Sequence, residues 1–598
     1  MGYEAPITDM TFTLTEVIGV EDLAKLPIFD DVGLDIVPDL LAEAGRFFAE
    51  VIAPTNRTGD VQGARLEADG SVTSPDGFRE AYAEYVAAGW GASAFDPEFG
   101  GGGMPWVVGL AIAEMMTASN MALSLNPLLT QGAIHALSAH GSDEQKATWL
   151  PKLISGEWSG TMNLTEPQAG SDVGALSTKA VRQDDGTYLI SGQKIFITWG
   201  EHDLTDNIVH LVLARTPSAP PGTAGISLFI VPKHVLDAQG HPSERNDITC
   251  VSLEHKMGIH ASPTCVLQFG DQGGAVGYLI GEENAGMRYM FTMMNQARLA
   301  VGLEGVALGD LAYQQALAHA IERFQGHRRG SEPGKQVPII EHPDVRRMLL
   351  TMKAHVEAIR ALVYLNAYAI DLAHHHPDEA EQQRSRELTD LLTPVSKAWG
   401  TDLGNELTSL GLQVHGGMGY IEETGAAQLY RDIRIGAIYE GTNGIQAIDL
   451  VGRKLPMRDG AVVQELLAEM GETVASLVQV GLTEIADRLE AAVADLQAAG
   501  RWILEKRTRD SDDGLAAATP YLRMFGLVCG GWLMARSAIA AQRLLQSDDR
   551  SYTDEFLQAK IDTTRFYTSQ LMPQAHGLLP AVMAGADELY AIAAEDLR

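Results

Sequence analysis

Three stretches of this chain hold residues whose types and spacing could do chemistry. In RDIRIGAIYEGTNGIQAIDLVGRKL (Arg431–Leu455) a lone acid, Glu440, stands between Tyr439 and Gly441. Apolar residues then recur at Ile445, Ile448, Val451 and Leu455, close to helical period, so a helix is entered through the turn Gly441-Thr442-Asn443-Gly444. An acid held in such a turn can project beyond its scaffold into a cavity. The plainer alternative is a helix-entry acid that faces the positive end of the dipole. In GTMNLTEPQAGSDVGALSTKA (Gly160–Ala180), Thr165, Ser171 and Thr178 offer hydroxyls, and Gly170 and Gly174 expose backbone amides that could hold a polar, planar ligand. In KIFITWG (Lys194–Gly200), Phe196 and Thr198 lie two apart, hence on one face of a strand. An aromatic surface beside a hydroxyl suits a flavin ring, and an aromatic in a strand also suits plain core.

These stretches need elements to position them. From about Val37 to Ser159 the pattern is mainly helical. It is interrupted by GWGASAFDPEFGGGGMP (Gly89–Pro105), where Pro105 occupies the place of the third glycine of a dinucleotide loop, so the cluster reads as a turn. Between Thr161 and Gly281 short β-rich runs appear, TYLISGQKIFIT, NIVHLVLAR, GISLFIVPK, TCVLQFG and VGYLIG, with Gly, Pro, Asn and Asp between them, as in a barrel or sandwich. Helical period returns from Gly286. A long stripe runs through Val345, Met348, Leu349, Met352, Val356, Ile359 and Val363; Pro394 predicts a kink or break and Gly411 a stop. A further helical block opens with Val463, Leu466, Leu467, Met470, Val474, Leu477 and Val478. The fold class expected is α+β multidomain: an N-terminal extension (1–35), a helical N-terminal domain (36–160), a central β-domain (161–285), a helical bundle (286–455) and an extra C-terminal helical domain (456–598).

Composition narrows the function classes. A chain of 598 residues is too long for one core. Its formal charge of −34 repels nucleic acid and anionic membrane, so an anionic ligand needs a local basic pocket. Arg298, His327, Arg328 and Arg329 offer such charge, and the last three serve equally as a solvated basic patch. The three cysteines, Cys250, Cys265 and Cys529, show no metal or disulfide spacing. The most apolar run, Met524–Ala535, is shorter than the ~20 residues of a membrane span and reads as a buried core helix. The start MGYEAPITDMTF has no secretory pattern. A reducing, cytoplasmic setting is expected.

MNLTEPQAGSD, KIFITWG, EHPDVRR, QVHGGMGY and IYEGTNGIQ stand in the order seen in acyl-CoA dehydrogenases. The chain resembles that family from about Asp39 to Leu455, in its long bacterial branch with a C-terminal extension, which includes 3-methylmercaptopropionyl-CoA dehydrogenases. The resemblance implies a helical domain, a β-domain and a four-helix bundle, with FAD held between the last two. By position it implies that Met162, Leu164 and Thr165 line the flavin, with Phe196 and Thr198 on its other flank. The family often has an aromatic at the first of these positions and Trp where Phe196 stands. Ser171 would bind the CoA part of the substrate, Asn295 would lie near the CoA chain, and Arg298 beside the catalytic pocket. Arg323, in AIERFQG, matches the arginine that reaches the FAD pyrophosphate of a neighbouring subunit, although the family usually has Phe between the Gln and Gly. Gln413, Gly416 and Gly417 would meet the adenine end across the same interface, and Thr442 joins the cofactor set. A homodimer or dimer of dimers follows.

Glu440 then falls on the catalytic base. The implied reaction is α,β-dehydrogenation of an acyl-CoA thioester to the trans-2-enoyl-CoA: the carboxylate takes the Cα proton and flavin N5 the Cβ hydride. Burial makes such a carboxylate a stronger base, and its own backbone N–H polarises the thioester carbonyl. Relatives that carry the base on an earlier helix place it near Gln296 and Ala297, neither acidic here. Electron-transferring flavoprotein is the expected acceptor. The alternatives are an acyl-CoA oxidase, reoxidised by oxygen, and a catalytically silent scaffold. The substrate could be 3-methylmercaptopropionyl-CoA or a short- or medium-chain acyl-CoA.

Overall fold

A computed structural model describes residues 3–30, 32–330, 334–507, 511–548 and 550–598. The chain divides into a β-containing unit, residues 3–5 and Ala42–Ala300, and a helical unit, Pro6–Leu41 and Val301–Arg598.

The β-containing unit is built on eight strands: β1 Trp158–Asn163, β2 Lys179–Arg182, β3 Tyr188–Thr198, β4 Asn207–Ala214, β5 Ser227–Pro232, β6 Ile248–Leu253, β7 Thr264–Phe269 and β8 Ala275–Leu279. All five β-rich runs expected from sequence are strands here. The sheet runs β6-β7-β3-β8-β5-β4-β1, with β2 paired to β3. Only β1 and β4 pair in parallel, Trp158 opposite Asn207 through Asn163 opposite Val212. β4 and β5 are buried along their whole length, as continuous apolar runs should be. The helix Met121–His140 lies against β1, where a Cβ on Gly160 would come 2.6 Å from the Ala133 methyl. That contact explains the glycine. The Gly89–Pro105 stretch forms turns, including two short 3-10 segments, and Pro105 caps the helix Trp106–Ser119.

In the helical unit the long helices are Gly286–Glu322 (from Val301 onward), Pro343–His375 and Glu379–His415. Pro394 and Gly411 lie inside the last of these, so the predicted break and stop are corrected. Gly411 serves packing instead: a Cβ there would meet the Ala312 methyl at 3.3 Å. The helix stops at Gly416, whose φ is +61°. The Pro343–His375 helix carries the expected stripe, but from Ala354 to Ala373 it is buried on nearly every side, Glu357 and Arg360 included. The sequence extension supplies the cover. The half-buried Asp9 carboxylate accepts bonds from Arg360, at 2.5 Å, and from Lys560, which also pairs with Glu357 at 3.0 Å. Burial pushes Asp9 up, but Lys560 and Arg360 outweigh it and hold the carboxyl well below its ordinary value. One ion cluster thus joins the N-terminal segment, the bundle and the C-terminal helices.

The apolar run Met524–Ala535 belongs to the 28-residue helix Ala518–Leu545. By length and composition this is the one described helix able to cross a membrane, and 89% of its apolar window is buried inside the protein. Gly526 and Gly530 let it press on Trp399, whose ring lies 2.3 Å and 2.6 Å from where their Cβ atoms would be. In the helix Ala461–Gln479 the expected stripe is buried except that Val474 is half-buried and Val478 is 53% exposed. Thr473 is buried in that neighbourhood and accepts the Trp532 indole N–H at 2.9 Å. The three cysteines are buried and free.

Candidate active site

In the β-containing unit, β3 carries one extra residue: Lys194 pairs with Leu267 and Ile197 with Cys265, so three steps on β3 face two on β7. This is a β-bulge. Phe196 and, just beyond the strand, Trp199 take left-handed φ values of +58° and +52°. Trp199 is fully buried, with its indole N–H donating to the Ala122 carbonyl at 3.0 Å and its amide to the Pro263 carbonyl at 2.8 Å. That anchor fixes the strand end. Ile197 is buried, whereas Phe196 stays 57% exposed and Thr198 half-buried, so Phe196 is not core.

The loop after β1 is tied to the same place. Lys194, fully buried, donates through Nζ to the Leu164 carbonyl and to Glu166 Oε1, both at 2.9 Å. The Ile195 amide donates to the Thr165 carbonyl at 2.9 Å. Glu166 also accepts from the Ser177 amide at 2.7 Å and the Thr178 amide at 3.0 Å. Burial raises the Glu166 carboxyl, but Lys194 and Thr178 outweigh it and bring it down to about 2. Burial lowers Lys194 to about 8. Thr178 is not available to a ligand, because its hydroxyl donates to Glu166 at 2.6 Å and it is buried. Met162 and Thr165 are half-buried, Leu164 is buried and Ser171 exposed. Asn295 and Arg298 do meet: one turn apart, they share a 3.4 Å bond, and the guanidinium lies 5.8 Å from the centre of the Phe291 ring. Arg298 is buried.

In the helical unit, Glu440 (φ +56°) and Gly441 (φ +85°) make a left-handed corner before the helix Asn443–Asp449. Thr442 caps that helix, accepting the Ile445 amide at 3.3 Å. The fully buried Lys397 donates to the Gly441 carbonyl at 2.9 Å and to Asn443 Oδ1 at 2.8 Å. Gln446 Nε2 reaches the carbonyls of Glu440 and Gly441, both at 3.3 Å. Asn443 Nδ2 donates to Asp402 Oδ1 at 2.7 Å and to the Ala398 carbonyl at 3.1 Å. The corner's carbonyls and its Asn443 side chain are therefore bound to the bundle, and the Glu440 side chain is half-buried. The predicted stripe holds in part here. Ile448 is 45% exposed while Gln446, Ala447 and Leu450 are buried, and Val451 and Leu455 are buried as the stripe predicts.

Arg323, Gln413, Gly416 and Gly417 are exposed. They lie at one end of the bundle, since His319 and His415 stack with ring centres 4.6 Å apart. A Cβ on Gly416 or Gly417 would meet open space. His327, Arg328 and Arg329 are also exposed, and Arg328 pairs with Glu341 at 2.7 Å, as a solvated patch does.

Sequence reasoning did not single out four buried ionisable residues of these regions: Glu166, Lys194, Glu304 and Lys397. The signal was available, because each is an ionisable residue set in an apolar or glycine-rich run, as in KIFIT, GLEGVAL and VSKAWG.

Three family models cover the chain in order: Acyl-CoA dehydrogenase, N-terminal domain (39–157), middle domain (161–272) and C-terminal domain (284–455). The chain belongs to the acyl-CoA dehydrogenase family. A fourth model, Acetyl-CoA dehydrogenase C-terminal like, matches 466–593 of this acyl-CoA dehydrogenase-family chain. It is 48% identical over 575 residues to the 3-methylmercaptopropionyl-CoA dehydrogenase of Ruegeria pomeroyi, covering 96% of each chain. Its fold is that of Caenorhabditis elegans ACDH-11, solved in complex with C11-CoA (TM-score 0.78, 19% identity, 95% and 91% of the two chains). It also matches an acyl-CoA dehydrogenase from Bacillus anthracis complexed with FAD (TM-score 0.68, 19% identity, 97% and 88%).

Proposed function

We propose that this protein is an FAD-dependent acyl-CoA dehydrogenase in which Glu440 removes the α-proton of an acyl-CoA thioester. The observation that carries the reading is the clamped left-handed corner. A non-glycine residue rarely adopts a positive φ, and one persists where its surroundings over-determine it, as functional residues require. Here buried Lys397 and Gln446 hold the carbonyls of that corner, so Glu440 is presented by a rigid backbone. Its carboxylate takes the proton, and its own N–H is the group suited to charge growing on the thioester oxygen.

The residues fit FAD. An exposed Phe196 beside Thr198, accessible Met162 and Thr165, and side-chain-free space at Gly416 and Gly417 suit a broad ring system and a long nucleotide tail. On the β-containing unit Leu164 would add to the ring contact; on the helical unit Thr442 is a further proposed cofactor residue, and Arg323 and Gln413 would hold the pyrophosphate and adenine ends. When bound, FAD supplies the hydride acceptor. Ser171, Asn295 and Arg298 are the CoA-side residues. Exposed Phe324, Met418 and Tyr420, 52%, 56% and 88% accessible, suit coverage by a second copy sharing the Arg323–Gly417 end, hence a homodimer or dimer of dimers. Electron-transferring flavoprotein is the proposed acceptor, in a cytoplasmic setting.

The test is anaerobic titration of the yellow holoenzyme with 3-methylmercaptopropionyl-CoA and a chain-length panel, followed by turnover with an artificial electron acceptor. Bleaching and turnover support the reading. Absence of bleaching with every member overturns it in favour of a silent scaffold, and hydrogen peroxide formed in air without an added acceptor identifies an oxidase. The best substrate of the panel fixes the acyl class, for which the Ruegeria relative favours 3-methylmercaptopropionyl-CoA.

A further inference from the structure

One buried acid has no role in the chemistry described above. Glu304 is fully buried on the Gly286–Glu322 helix, within the helical unit. The hydroxyl of Tyr439, the residue just before Glu440, donates to Glu304 Oε1. The second oxygen, Oε2, is also buried and takes no hydrogen bond. Gly436, the start of the approach to the corner, passes beside it: a Cβ there would stand 3.5 Å from Oε2. A buried carboxyl that leaves one oxygen unsatisfied is costly, and a plain apolar residue would avoid that cost. Such a group persists where it does something else.

Its partner shows what that is. The strained residue Glu440 is gripped on its C-terminal side by Lys397 and Gln446 acting on backbone carbonyls. On its N-terminal side the grip is the Tyr439 hydroxyl on Glu304. We propose that Glu304 is a positioning residue which, through the Tyr439 hydroxyl, holds the backbone of Glu440 in its left-handed turn and so aims the base. This rests on Glu440 being the base.

The pair also links two ionisations. The ionisable groups that act on Glu304 are Tyr439 and Glu440 from the corner and Lys397 from the Glu379–His415 helix. Burial pushes Glu304 up to about 8; the Tyr439 bond and Lys397 oppose this, and Glu440 adds to it. Near neutral pH Glu304 therefore keeps its proton and adds no negative charge beside Glu440. Above that range a second carboxylate forms beside the base. By reciprocity it raises the proton affinity of Glu440, as Glu440 raises that of Glu304.

The experiment measures flavin bleaching in the FAD-loaded enzyme by the acyl-CoA that the parent turns over best, from acid to alkaline pH. Tyr439→Phe and Glu304→Ala are each expected to slow bleaching at saturating substrate by about tenfold or more, with FAD content kept and KM moved much less. Glu304→Gln retains an acceptor for the tyrosine and recovers most of that loss, yet it removes the inflection near pH 8 that the parent shows. Glu304→Ala opens a cavity, so Tyr439→Phe and Glu304→Gln decide the matter if it does not fold. Parent rate and parent pH profile in Tyr439→Phe overturn the proposal, and so does a Glu304→Gln profile that keeps the inflection. Glu440→Gln separates the two readings. If it is inactive while both other variants behave as parent, only the positioning role falls; if it turns over normally, the base assignment falls and takes this proposal with it.

Discussion

Buried lysines hold two regions of this molecule, and they hold them by different electrostatics. Lys194 fixes the loop after β1 by pairing with a carboxylate, Glu166, at 2.9 Å while also capturing the Leu164 carbonyl. Lys397 fixes the Glu440 corner by binding neutral oxygens, the Gly441 carbonyl and the Asn443 amide. In the first region the carboxyl is brought down to about 2 and the lysine to about 8, so the pair is ionic between about pH 2 and pH 8. In the second, the fully buried carboxyl Glu304 is pushed up to about 8 and stays protonated near neutrality. The difference teaches a design rule: a region that only binds can be held by a full ion pair, whereas a region that must present one basic carboxylate is held by dipoles and a neutral acid. A second permanent anion next to the base would disturb its proton affinity.

The sharpest way to break this contrast is to remove the acid that the corner presents. Glu440→Gln keeps the shape and the yellow FAD but should lower acyl-CoA-dependent turnover by about 10³-fold or more; near-parent turnover in the artificial-acceptor assay would remove the base from Glu440. Next comes the ion pair. Lys194→Met leaves Glu166 buried without its cation and should cost about 3–5 kcal/mol of stability by urea unfolding. The same change should loosen FAD retention, because the Leu164–Thr165 loop loses its tether. An unfolding midpoint equal to the parent's would show that Lys194 is not what holds the loop.

The two regions should also respond to pH in opposite directions. Glu166 has a folded-state value of about 2 against an ordinary 4.5. Its stabilisation is present above about 4.5 and is lost as pH falls towards 2. Glu304 has a folded-state value of about 8 against the same 4.5. Its contribution is present in full below 4.5 and is lost as pH rises through 8. The stability of Glu304→Gln relative to the parent should therefore increase steadily from about pH 4.5 to pH 8, read by urea unfolding at a series of pH values. A difference independent of pH would mean that Glu304 is not neutral in the folded protein. The smallest effect expected is at the cap: Thr442→Ala should cost about 1 kcal/mol, with a modest loss of rate because the corner frays. No change in either measurement would place the rigidity of the corner entirely on Lys397 and Gln446.

Much was legible before any coordinates. The strand runs from Tyr188 to Leu279 are patterned and punctuated by turn residues, and the amphipathic stripe after Pro343 is long enough to read. The misreadings share a cause. Gly411 and Pro394 are local signals of helix ending, yet both sit inside a helix because close packing and surrounding bonds outweigh local propensity there. In the stripe after Gly444, Ile448 is exposed and Gln446 buried, because period alone does not show which face of a helix the rest of the chain covers. Thr178 seemed a ligand donor because the sequence does not show that Glu166 takes its hydroxyl.

The sequence by itself determined the domain types and the family, because hydrophobic period and turn chemistry are local and the motifs are contiguous. It also determined that Glu440 stands in a glycine-flanked turn. Tertiary structure alone decided what holds those residues. Lys194 meets Glu166 from 28 positions away, Lys397 meets Gly441 from 44, and Tyr439 meets Glu304 from 135. Whether a buried carboxyl is an ion or a neutral acid depends on burial and on charges brought close by folding, and neither is a property of its neighbours along the chain.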